Sequence, residues 1–155
     1  MINRVILNSV QYDNLVSLAK STLPNESCAI LVGKTAKKDV YIINSISTRN
    51  SDSSRVTFSI DPQQLIEIYQ TVEKQNMHVV GIFHSHPTEP KPSSIDKKFM
   101  EINPVVWIIY STITDESRAY IFEEKLEEVK MHIANSLKHI VVENRFYIHK
   151  VTIIY

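Results

Sequence analysis

The strongest constraint on the fold of this 155-residue chain is a series of apolar runs only five to seven residues long, set apart by polar or proline-bearing breaks. Ser27 to Gly33, Val40 to Ile46, Val79 to Phe83 and Val105 to Tyr110 are such runs. They are too short for helices of normal length and read as strands. Cys28, Ile30 and Val32 alternate within the first, as in a largely buried strand. Val56 to Ile60 reads as another short strand, and Ser117 to Phe122 as the partner of Val105 to Tyr110 across Thr114-Asp115-Glu116. Asn8 and Gln11 have capping-box spacing, and Val10, Leu15, Leu18 and Ala19 share a face, which predicts a helix at about 9–21. Asp61-Pro62-x-Gln64 opens a second helix, buried through Leu65, Ile68, Tyr69 and Val72. From Glu123 onward helix and strand patterns fit equally well through residue 138, and Phe146 to Tyr155 is strand-like. The expectation is an α/β (α+β) sheet protein of one domain.

With 43% hydrophobic residues the chain has material for a core, and folding at this length removes roughly 68–70% of the unfolded surface from water. Seventeen basic residues balance seventeen acidic ones, which leaves no net field to draw the chain onto nucleic acid or anionic lipid. The lone cysteine, Cys28, excludes an internal disulfide and a multi-thiolate metal site and points to a reducing compartment. No apolar stretch approaches the roughly 20 residues of a membrane span, so a cytoplasmic protein is expected. Gly33 and Gly81 are the only glycines, and Gly/Ser linkers are absent.

Chemistry concentrates in Gly81-Ile-Phe-His84-Ser-His86-Pro-Thr-Glu-Pro-Lys-Pro-Ser93-Ser-Ile-Asp96. At the end of a strand His84 and His86 project to one face with Cα atoms about 6.6 Å apart, close enough to share an ion. Pro87, Pro90 and Pro92 stiffen a loop that returns Asp96 at the start of the next helix. Two histidines and a carboxylate suit a zinc site with an open water position. Against this, an isolated His-x-His is usually accidental, and Ser93 with Asp96 also fits a plain capping box. Cys28 reads as a small core residue and Trp107 as core, while His78, His132, His139 and His149 lack ligand spacing. A hydrolytic zinc site also needs a proton-accepting carboxylate that is not a ligand, and spacing alone does not choose among Glu26, Glu67, Glu89 and Glu101.

His-Ser-His-Pro, the proline-rich loop and Pro92-Ser93-x-x-Asp96 resemble the signature of the JAMM (MPN+) metalloprotease family, which includes deubiquitinases and prokaryotic relatives acting on ubiquitin-like sulfur carriers. The resemblance extends to Pro24-x-Glu26-Ser-Cys28-Ala-Ile-Leu-Val-Gly33 and Phe58-x-Ile-Asp61-Pro62, and covers roughly residues 1–125, with 126–155 as a C-terminal extension. Two details depart from it: nine residues separate His86 from Asp96, one fewer than typical, and Ala29 stands where many relatives have glycine. The resemblance implies a curved mixed sheet flanked by helices, with the cytidine-deaminase-like architecture of MPN domains. It implies one zinc ion per chain on His84, His86 and Asp96, Glu26 as general acid/base, and Ser93 steadying the oxyanion. The implied reaction is hydrolysis of the amide or isopeptide bond after the Gly-Gly tail of a ubiquitin-like or sulfur-carrier protein. A non-catalytic MPN-type scaffold is the alternative, with a RadC-like DNA-repair-associated domain behind it. Ser45 to Arg55 and Ser111 to Ser117 are expected to be short connections where specialised relatives carry insertions.

Overall fold

A computed structural model describes residues 1–49 and 60–135. In chain order its elements are β1 (Arg4–Asn8), α1 (Ser9–Ser21), β2 (Cys28–Ala36), β3 (Asp39–Thr48), α2 (Pro62–Lys74), β4 (His78–His86), α3 (Ser94–Ile102), β5 (Val106–Ser111), β6 (Ser117–Phe122) and β7 (Leu126–Ala134). The strands lie in the order β1-β3-β2-β4-β5-β6-β7, and parallel pairing of β7 with β1 closes the ring. The sheet is mixed as expected, and the curved sheet of the expectation closes fully into a barrel. Closure depends on two strands with weak local signals. Arg4–Asn8 is a short segment that sequence pattern did not mark, and Leu126–Ala134 is the stretch where both periods fit. Pairing with β6 on one side and β1 on the other makes that stretch a strand.

Alternation along the strands builds two cores. Inward residues of all seven strands, among them Val5, Ala29, Leu31, Ile42, Phe83, Ile108, Ile121 and Val129, meet Leu15 and Ala19 of α1. The opposite face of β2, β4, β5 and β6 presents Cys28, Ile30, Ile82, Trp107, Ile109 and Tyr120 to Leu65, Ile68 and Val72 of α2 and Met100 of α3. Both glycines sit beside register shifts where backbones crowd. A Cβ on Gly33 would fall 1.8 Å from the Tyr41 carbonyl oxygen, and one on Gly81 would fall 2.5 Å from that of Val106. The α1 capping box forms as read, with Gln11 N donating to Asn8 Oδ1 at 2.8 Å and Asn8 N to Gln11 Oε1 at 3.2 Å. Trp107 and Cys28 are buried core residues; burial pushes the thiol up to about 12, so it is protonated and unreactive.

Ser45 to Thr48 continues β3, so the connection expected from Ser45 begins after Thr48. Val56 to Ser59, residues 136–138, His139, His149 and Phe146 to Tyr155 lie outside the described residues. Among the described residues no helix is long and apolar enough to cross a membrane.

Candidate metal and catalytic site

β4 carries the two histidines to its last turn of pleat, and each element around them has a local reason to be there. His84 and His86 lie on the face shared with Cys28 and Ile82, toward α3, while Ser85 points to the opposite face. Thr112 N and Oγ1 donate to the His86 carbonyl at 2.9 and 3.2 Å, which ties the strand end to the turn after β5. The proline loop is anchored by Tyr120, whose hydroxyl donates to the Pro90 carbonyl at 2.9 Å. Ser93 then caps α3: Asp96 N donates to Ser93 Oγ at 3.1 Å, and Ser93 N donates to Asp96 Oδ2 at 2.6 Å. The capping reading and the site reading of this pair are both fulfilled. The cap uses the Ser93 hydroxyl as an acceptor, and its O–H keeps the capacity to donate.

Four buried polar side chains converge. Asp96 Oδ2 is 3.2 Å from His86 Nε2, and Asp96 Oδ1 is 3.8 Å from His84 Nε2. Glu26, from the turn entering β2, places Oε2 3.2 Å from His84 Nε2. The nine-residue spacing between His86 and Asp96 therefore still returns the carboxylate to the histidines. Glu26, His84 and His86 each bring one donor atom within 4.8 Å of the others. Of the four glutamates that spacing left open, Glu26 is buried, whereas Glu67, Glu89 and Glu101 are exposed, and Glu89 pairs with Lys91 at 2.6 Å. His78 and His132 lie elsewhere, partly or fully exposed.

Electrostatics couple the pair on β4 and α3. Burial alone would raise the Asp96 carboxyl, but His86, His84 and the Ser93 hydrogen bonds outweigh it and hold the pKa at about 2. Burial would likewise lower His86, and the hydrogen bond and charge of Asp96, with Glu26 and the Glu89 backbone behind them, raise it instead. The cluster is a set of nitrogen and oxygen donors held out of water, and Glu26 Oε2 has no hydrogen-bond partner among the described residues. Buried carboxylates without full satisfaction cost several kcal/mol, and a cation among them removes that cost. The donor set therefore fits a small divalent metal of the zinc type.

Sequence pattern did not mark Ser27 and Ser85. Ser27 N and Ser27 Oγ both donate to Ser85 Oγ, at 2.8 and 2.9 Å, and the Ser27 carbonyl lies 3.3 Å from His84 Nδ1. That contact orients the ring with Nε2 toward Glu26 and Asp96, the side on which a metal would be held. A serine between the two clustered histidines was the available signal.

Comparison with known proteins identifies the family. The family described as prokaryotic homologues of the JAB domain matches residues 9–122. A desampylase of Pyrococcus furiosus is 36% identical over 109 residues, covering 68% of this chain and 74% of the relative. A desampylase of Haloferax volcanii is 27% identical over 114 residues, covering 70% and 81%. A solution structure of a protein from Desulfitobacterium hafniense superposes with a TM-score of 0.77 at 25% identity, covering 87% of this chain and 96% of that one. The chain is thus a hydrolase of JAMM type and belongs to the family of prokaryotic homologues of the JAB domain.

Proposed function

We propose that this enzyme binds one zinc ion through His84, His86 and Asp96 and cleaves the amide or isopeptide bond that follows the Gly-Gly tail of a ubiquitin-like or sulfur-carrier protein in the cytoplasm. The observation that supports this most is the burial of two histidines and two carboxylates within one cluster at the end of β4. An ion held there supplies Lewis acidity, making a nearby water more acidic and the scissile carbonyl more electrophilic. Glu26 accepts the proton of the attacking water and delivers it to the departing amine. Ser93, exposed at the mouth of the site, donates its hydroxyl proton to the oxygen that becomes negative in the tetrahedral state. Asp96 holds α3 and the histidines together. A buried glutamate beside paired histidines, one of its oxygens lacking a hydrogen bond, favours this reading over a scaffold.

The names of the curated relatives support a ubiquitin-like substrate. Because the barrel closes, a tail joins it as an extra strand only where a strand outruns its neighbour. β3 does so: its pairing with β1 ends at Tyr41, while β2 accompanies it on the other side to Thr48, opposite Cys28 beside the histidines. Main-chain hydrogen bonds there give affinity with little side-chain selectivity, and glycines pass where larger residues do not. Cleavage of one ubiquitin-like protein joined to several different amines tests this. Similar rates across leaving groups, and loss with Gly-Gly→Ala-Ala, are expected. Steep dependence on the leaving group with indifference to the tail would refute it.

A further inference from the structure

Glu26 precedes the first paired residue of β2, since the ladder with β4 begins at Cys28 opposite His84. Its backbone is held in place through the next residue, Ser27, whose N–H and hydroxyl are both fixed by one side chain, Ser85. In an antiparallel ladder Ser27 N would bond a backbone carbonyl of the facing strand. Here it donates to the Ser85 hydroxyl at 2.8 Å, while Ser85 N donates to the Ser27 carbonyl at 3.1 Å. The Ser27 hydroxyl adds a second donor to Ser85 Oγ at 2.9 Å. Both serines are buried, at 3% and 1% exposure, so water does not replace these bonds. The carbonyl of this same residue, which also accepts from Ser85 N, faces His84 Nδ1 at 3.3 Å.

We propose that Ser85 is a positioning residue for the reaction, its hydroxyl setting both the place of Glu26 and the orientation of the His84 imidazole through Ser27. This rests on the metal-dependent reading above. Ser85 lies on the face of β4 opposite the two histidines and acts through the residue that joins Glu26 to β2. Partners of this kind behind a metal ligand typically change metal affinity or activity 10–100-fold.

The test uses Ser85→Ala, Ser85→Thr and Ser27→Ala in the full chain, with kcat and KM on a ubiquitin-like protein carrying a Gly-Gly-linked amine, zinc affinity by chelator competition, and the visible spectrum of the cobalt-loaded protein. Ser85→Ala is expected to lower kcat about 10–100-fold with KM within about twofold, to weaken zinc about 10-fold and to shift the cobalt bands. Ser85→Thr, which keeps the hydroxyl, restores kcat and spectrum. Ser27→Ala keeps the N–H and carbonyl contacts and stays within about threefold of wild type. Should Ser85→Ala not fold, Ser85→Cys, similar in shape but a weak acceptor, is expected to show the same kcat loss. Wild-type kcat in the Ala or Cys variant, or losses that follow melting temperature with an unmoved cobalt spectrum, would overturn the proposal. If wild type cleaves no such substrate, the functional reading fails on its own. The zinc and cobalt measurements then still decide whether Ser85 sets His84.

Discussion

Replacing Asp96 by Asn in the metal-free protein isolates the charge of one carboxylate while leaving its shape and its cap in place, because the amide oxygen still accepts from Ser93 N. The Asp96 carboxyl sits at about 2, against an ordinary 3.8. At about 1.4 kcal/mol for each pH unit, the depression corresponds to about 2 kcal/mol of folding stability. A lowered carboxyl stabilises above its unfolded value, so the contribution is complete above about pH 4 and is lost as pH falls through 3.8 toward 2. His86, held above its ordinary 6.5 chiefly by Asp96 against its burial, is the other half of the same interaction. That side persists at low pH and fades as pH rises through the raised value. The gap in unfolding free energy between wild type and Asp96→Asn should therefore peak at about 2 kcal/mol near pH 5 to 6 and narrow on both sides. Urea unfolding in the presence of chelator at pH 3, 5.5 and 8.5 measures it. A gap that is flat with pH would show that the carboxylate acts through packing or capping alone, and would refute the charge argument.

Glu26→Gln is expected to keep the fold while lowering turnover about 10²–10⁴-fold, the usual worth of a general base, as steady-state kinetics will show. Ser93→Ala should cost about 1 kcal/mol of stability as a lost cap and a further 10²–10³ in rate as a lost oxyanion donor; melting temperature and kcat measured together separate the two. Gly33→Ala, which drives a Cβ into the Tyr41 carbonyl, should destabilise by about 3 kcal/mol or more without touching the cluster, measured by denaturant unfolding.

What the sequence disclosed follows the range of the interactions involved. The α1 helix was legible to its ends because the Asn8–Gln11 box closes within four residues. His84, His86 and Asp96 were legible because one strand, one proline loop and one helix start bring them together. Glu26 was not selectable from spacing, since its approach to His84 depends on the register of β2 against β4, and only the family resemblance chose it. The role of Ser85 was hidden for the same reason, as its partner Ser27 lies on another strand's entry. Barrel closure was missed because β1 and β7 meet in parallel from opposite ends of the described chain, and their alternation is too short or too ambiguous to announce it.

In the proposed mechanism two buried carboxylates divide the labour, Asp96 binding the ion and Glu26 moving the proton. Geometry alone offers both, since Glu26 lies within ligand distance of His84 as Asp96 does of His86. Zinc content after equilibrium dialysis against a zinc buffer, compared for wild type, Glu26→Gln and Asp96→Asn, separates them. One zinc per chain is expected in wild type and in Glu26→Gln, and a large loss in Asp96→Asn. Zinc retained by Asp96→Asn and lost from Glu26→Gln would reverse the assignment and contradict it.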